Sequence, residues 1–134
     1  MFLGEYYLKF TGLGRVVLPK KIRSEVSGDR IVLSRGFEGC VLGFSLESWE
    51  KEANKQLEGS ITEEKGRLLR RYVFSGSEIV DLDKQSRFVI PAGLLHFGSL
   101  RDEVVLIGAG DHFEIWNRIG WESYLLSMQK EVGV

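Results

Sequence analysis

The sequence contains one cysteine, two histidines and two prolines. A lone thiol, Cys40, can form neither an internal disulfide nor a thiolate metal cage, and it reads as a small buried filler rather than a nucleophile. His96 and His112 lie far apart, with no cysteine or histidine at metal-ligand spacing, so no metal and no general base is expected. No apolar run approaches the ~20 residues of a membrane helix. The opening MFLGEYYLKF has no basic stretch and turns polar at Glu5, unlike a secretion signal. A reducing cytoplasm is therefore the expected compartment. The net charge of −1 excludes a uniformly basic coat for nucleic acid. Neither GxxxxGK(S/T) nor GxSxG occurs. Gly12-Leu13-Gly14 opens like a dinucleotide fingerprint, but Val17 stands at the third glycine and a strand follows, so it is rejected. Asp81 and Asp83 lie close enough to suggest a carboxylate pair, but a turn cap and a solvated residue explain them. No enzyme, cofactor or small-molecule substrate is expected.

What remains is globular composition: 134 residues, 43% hydrophobic and 28% charged, which is one domain's length with enough apolar content for a core. The chain also repeats itself. Residues 6–49 align on 78–121 without a gap, at an offset of 72. Both prolines coincide, Pro19 on Pro91, as do Arg15 and Arg87, Val17 and Val89, Ser27 and Ser99, Val32 and Val104, Gly36 and Gly108, and Trp49 and Trp121. Apolar pairs such as Val16/Phe88, Leu18/Ile90 and Phe44/Trp116 fill in the pattern. With so few prolines and tryptophans, chance is a poor explanation.

Each copy predicts the same elements. A short strand (5–10, 78–82) leads through a tight turn (Thr11–Gly14, Asp83–Ser86) into a β-branched strand (15–18, 87–90). Proline ends that strand, and one turn of helix follows (20–26, 92–97). Two more strands come next (30–34 with 39–44, 103–107 with 112–116), with glycines in the turns between them. Trp49 and Trp121 fall on closing helices, the first over 45–57, where packing explains them better than base stacking. Residues 61–75 have no counterpart and predict a connecting helix that opens at Thr62-Glu63-Glu64, with Leu68, Leu69 and Tyr72 as its apolar side. Neither copy is long enough to bury its own face. The two are therefore expected to interleave into one mainly β, barrel-like domain over 1–134, made of units at about 5–58 and 77–129 joined by 59–76.

Two copies of (D/T)-x-x-x-R-x-x-x-P occur: TGLGRVVLP at 11–19 and DKQSRFVIP at 83–91. With the MFLG start, GAGDHFEIW at 108–116 and Trp121, they resemble the MraZ family of bacterial regulators of division and cell-wall genes. The first copy also resembles the AbrB-type DNA-binding unit. The resemblance implies a duplicated swapped-hairpin, double-split β-barrel. It further implies a homo-oligomeric ring, direct repeats in double-stranded DNA as the target, and nucleoid association. The family pattern Asp-x-x-Gly-Arg is split between the copies: Thr11 replaces Asp in the first, and Ser86 replaces Gly in the second.

Charge supports a nucleic-acid partner independently. Residues 9–35 carry seven basic and two acidic side chains, a local +5, while the remainder carries −6. The candidate DNA contacts are Arg15, Arg87, Lys9, Lys20, Lys21, Arg23 and Lys84, with Thr11, Gly14, Asp83 and Ser86 shaping the turns. Arginine's planar fork grips phosphate or the guanine edge with two bonds. Asp83 and Arg87 flank one turn and are expected to meet across it, whereas Thr11 offers Arg15 no charge. The competing reading is an antitoxin-like or other protein-interaction module, against which the absence of a tail after Trp121 counts.

Overall fold

The computed structural model describes residues 1–134. In the first copy, β1 (Glu5–Lys9), β2 (Arg15–Val17), α1 (Lys20–Arg23), β3 (Arg30–Arg35), β4 (Val41–Ser45) and α2 (Leu46–Leu57) follow in order. Then α3 (Glu64–Ser75) leads to β5 (Ser77–Asp81), β6 (Arg87–Val89), α4 (Ala92–Phe97), β7 (Glu103–Gly108), β8 (Phe113–Asn117) and α5 (Arg118–Glu131). Side chains close α2 and α5 at their starts. Ser45 Oγ accepts from Ser48 N–H at 3.1 Å, and Asn117 Oδ1 accepts from Gly120 N–H at 2.9 Å, which satisfies N–H groups the helix leaves open.

The copies exchange their first strands. β1 pairs with β7, and β5 pairs with β3. The resulting six-stranded antiparallel sheet runs β1-β7-β8-β4-β3-β5, and a separate ribbon joins β2 to β6. The sheet stays open, with β1 and β5 at its edges. The barrel expected from sequence is thus not closed by hydrogen bonds; the ribbon instead lies across the opening, against β1 and β5. Two pairs of residues are partners at the 72-residue offset itself: Val16 opposite Phe88 in the ribbon, and Leu42 opposite Glu114 in the β4–β8 seam. A pseudo-two-fold axis relating the copies therefore passes through both pairs.

The gapless alignment holds at both ends and slips in the middle. β7 superposes on β3 at 73 residues, since Val104 pairs with Asn117 where Ile31 pairs with Ser45. One extra residue before β7 is offset by one fewer in the β7–β8 turn (109–112 against 36–40). Val104 therefore matches Ile31 rather than Val32, and Gly108 matches Arg35 rather than Gly36. The extra residue is absorbed where Ser99 (φ 51°) and Asp102 (φ 48°) both take left-handed backbone.

Strand alternation divides the apolar side chains into two layers. Toward the ribbon, Leu33, Val41, Leu106, Phe113 and Ile115 pack with Val16, Leu18, Phe88 and Ile90, and Ile22 and Leu94 of the short helices plug the ends. Phe88 is 1% exposed, and replacing such a phenylalanine with alanine costs about 3–5 kcal/mol. On the other face, Cys40, Val105, Ile107, Trp116 and Trp121 form a smaller cluster. Cys40 precedes β4 rather than lying within a strand, and burial pushes its thiol up to about 12.

The connecting helix opens at Glu64, with Glu63 at its cap position and no side-chain cap. Its inward side is Tyr72, Val73 and Phe74, not the expected Leu68 and Leu69, which are exposed. Arg70, next to them, donates to the carbonyls of Leu57 (2.9 Å) and Gly59 (2.8 Å).

Candidate nucleic-acid interface

The β2–β6 ribbon has one buried and one outward face. Val16 and Phe88 point in, so Arg15, Val17, Arg87 and Val89 point out. Arg15 stands opposite Val89, and Arg87 stands opposite Val17. The two arginines are thus brought to one surface from opposite ends of a three-residue ribbon, on either side of the pseudo-two-fold. Each turn is tied to the other copy: Leu18 N–H donates to Ser86 O and Ile90 N–H to Gly14 O, both at 2.8 Å. The turns therefore share the rigidity of the core.

The two turns hold their arginines differently. Asp83 Oδ1 accepts from the N–H groups of Gln85 and Arg87 at 2.9 Å, and its Oδ2 accepts from Arg87 Nε at 2.7 Å. The Arg87 backbone N–H, followed by its guanidinium and the Gln85 N–H, outweighs desolvation and holds this carboxyl below its usual value. The expected meeting of Asp83 and Arg87 is present. Arg15 is not loose, however. Its Nε donates to Thr11 Oγ1 and its second guanidinium nitrogen to Thr11 O, each at 3.2 Å. These are bonds to neutral acceptors in place of an ion pair. Both turns need a left-handed residue just before the arginine: Gly14 at φ 69° and Ser86 at φ 62°. Position 14 is also tight for a larger residue, because a Cβ there would lie 2.8 Å from Leu95 Cδ1 and 3.1 Å from Ile90 O.

The remaining candidates divide. Lys20, Lys21 and Lys84 are exposed beside the ribbon ends. Arg23 is half-buried and donates to Val26 O at 2.9 Å, capping the chain after α1. Lys9 shares the outer face of β1 with Glu5 and Tyr7, opposite Glu103. Glu5 there accepts from Trp121 and Tyr7 lies near Arg118, so this is the α5 side of the sheet and not the ribbon side. Sequence reasoning passed over Leu13, 94% exposed at the tip of the first turn, and the outward Val17 and Val89. The strand period could have shown the valines, which share parity with Arg15 and Arg87.

Two repeats that exchange strands and share a ribbon define a duplicated swapped-hairpin protein. No helix in it is long and apolar enough to cross a membrane. The family described as "MraZ protein, putative antitoxin-like" matches the chain twice, over residues 1–72 and 73–132. Proteins named "Transcriptional regulator MraZ" are similar along nearly their whole length. The one from Roseiflexus castenholzii is 38% identical over 96% of this chain and 89% of its own. Those from Halothermothrix orenii and Acetivibrio thermocellus are each 36% identical, over 97% and 92% of this chain and 90% and 86% of theirs. The chain belongs to the MraZ family.

Proposed function

We propose that the chain is a DNA-binding transcriptional regulator that reads double-stranded DNA with the outward face of the β2–β6 ribbon and its two turns. The observation that carries this reading is the delivery of Arg15 and Arg87 to one exposed face of a two-stranded ribbon. Such a ribbon fits the major groove, where arginine pairs with guanine and apolar groups meet thymine methyls. In this role Leu13, Val17 and Val89 supply apolar contact, while Lys20, Lys21 and Lys84 meet phosphate. Arg23, bonded to Val26 O, and Lys9, on the far face of the sheet, contribute little.

One chain offers only about 3–5 phosphate contacts, so a single copy binds weakly. We infer a ring-shaped homo-oligomer that places several ribbons on direct repeats, gaining affinity by avidity. The names of the relatives support gene regulation, and the family resemblance extends it to direct repeats upstream of division and cell-wall genes in the nucleoid. Exposed Leu57, Ile61, Leu68 and Leu69 around the α2–α3 end give an oligomer apolar surface to cover. The test is a mobility-shift titration on direct-repeat duplexes at two salt concentrations, with light scattering on the same sample. A salt-sensitive shift by a particle of several 15.2 kDa chains is expected. Folded protein that gives no shift at low salt removes the DNA reading, and a monomer at micromolar concentration removes the ring.

A further inference from the structure

On the sheet face away from the ribbon lies a cavity of about 530 Å³, between α2, α3 and α5. That volume falls within the roughly 300–1,000 Å³ of small-molecule sites. It sits on the pseudo-two-fold, with the Leu42–Glu114 pair in its floor. Equivalent aromatic pairs flank it, Phe44 with Trp49 (centroids 5.3 Å apart) and Trp116 with Trp121 (5.4 Å). All three tryptophans of the chain line it.

Its charged lining is unequal: Glu38, Glu52, Asp111 and Glu114 against one guanidinium, Arg35, and one imidazole, His112. Arg35 is turned onto α3, where it donates to Tyr72 O at 2.9 Å and lies over the Tyr72 ring at 5.0 Å. His112 is held between Asp111 Oδ1 (2.8 Å) and Glu114 Oε2 (2.9 Å) and stacks on Phe44. Glu52 bonds only Gln56, on its own helix, and Glu38 makes a long 3.5 Å contact with the Tyr124 hydroxyl. These two carboxylates have no cationic partner. Aromatic faces beside unpaired carboxylates favour a positively charged organic group, because the ring quadrupole and the carboxylates attract it together.

We propose that this cavity binds a small organic cation of the quaternary-ammonium or aromatic-amine class, its charge drawn by the unpaired carboxylates of Glu38 and Glu52 and its apolar body against the half-buried Trp49. Benzyltrimethylammonium is the probe. Because every tryptophan lines the cavity, intrinsic fluorescence reports on it directly. Saturable fluorescence change in the millimolar range or below is expected, with benzyl alcohol, a neutral aromatic, giving no saturable change. The isosteric Glu52→Gln and Glu38→Gln variants should each weaken the probe about 3- to 10-fold, a loss of the size of one cation contact. The proposal is overturned if fluorescence is unmoved up to about 10 mM, where even a millimolar ligand saturates. It is equally overturned if benzyl alcohol binds as well as the cation, or if both variants bind like the parent chain. Fluorescence that changes on diluting the protein but not on adding the cation also overturns it, and assigns the cavity to a second copy of the chain.

Discussion

Exchange of the two left-handed turn residues should move stability in opposite directions. Gly14 and Ser86 occupy equivalent positions at φ 69° and 62°. A non-glycine residue in this region carries about 1–2 kcal/mol of strain. Glycine relieves it but costs about 0.5–1 kcal/mol through the freer unfolded chain. The Ser86 hydroxyl makes no hydrogen bond to weigh against this; its backbone bonds to Asp83 and Leu18 survive any side chain. Ser86→Gly should therefore stabilise by about 0.5–1 kcal/mol, a rise of about 2–5 °C in the melting midpoint for a chain of this size. Gly14→Ala meets the same strain and adds the 2.8 Å approach to Leu95 Cδ1 and the 3.1 Å approach to Ile90 O. With overpacking at about 1–3 kcal/mol, it should lose about 2–4 kcal/mol. Urea unfolding of both variants, read by tryptophan fluorescence and by circular dichroism, measures the two differences. A Ser86→Gly variant no more stable than the parent would refute the strain argument, and a harmless Gly14→Ala would refute the steric one.

Arg15→Ala should weaken DNA binding strongly and lower the log–log salt slope by about one contact with little change in melting, since it gives up only exposed bonds to neutral acceptors on Thr11. Arg87→Ala should lose less affinity and more stability, because it strips the side-chain partner from Asp83; anisotropy titrations and thermal melts on both variants decide this, and equal affinity losses with unchanged melting would mean the copies act symmetrically. Pro19→Ala and Pro91→Ala should each cost at most about 1 kcal/mol, since both prolines already sit at φ near that of a relaxed residue before a short helix (−54° and −55°); a collapsed thermal transition in either contradicts it. The bond to Glu114, opposed by burial and helped by Asp111, raises His112 above its ordinary value. Its stabilisation is thus complete below about pH 6.5 and disappears as pH rises through the folded value, while that of Asp111, held down chiefly by His112, disappears as pH falls through its lowered value. The melting difference between parent and His112→Gln should accordingly peak in mildly acidic solution and shrink on the alkaline side, as a pH series of thermal melts will show.

The repeat and its strands were legible because proline, glycine and β-branched residues act locally, and Pro19 and Pro91 do the same work in both copies. Strand exchange was legible only as a need to interleave, since which edge receives β1 depends on contacts about a hundred residues away. The slip between β3 and β7 was hidden because its two length changes cancel, so an ungapped alignment still ends in register at Trp49 and Trp121. Leu68 and Leu69 misled because the helix packs through Tyr72, Val73 and Phe74 of its last turn, which leaves the earlier leucines in solvent. At the candidate site, residue type identified the arginines and their turns. It could not say that Arg23 would be taken by Val26 O or that Lys9 would fall on the far face, because both follow from where the chain folds back. The cavity was invisible for a related reason: its walls are core-type aromatics, and only assembly leaves space between them.

The exchange of first strands also sets a timetable for synthesis. β1 leaves the ribosome early, but its partner β7 ends at Gly108, so at roughly 5–20 residues per second the first strand waits about 5–20 seconds with its hydrogen-bonding edge unpaired. β3, by contrast, gains β4 after a short turn and β5 soon afterward. The nascent first repeat is therefore a half-sheet that lacks its counterpart, not a finished domain. On a crowded polysome, a neighbouring chain presents the same missing strands at high local concentration, and pairing in trans competes with completion in cis until residue 108 emerges.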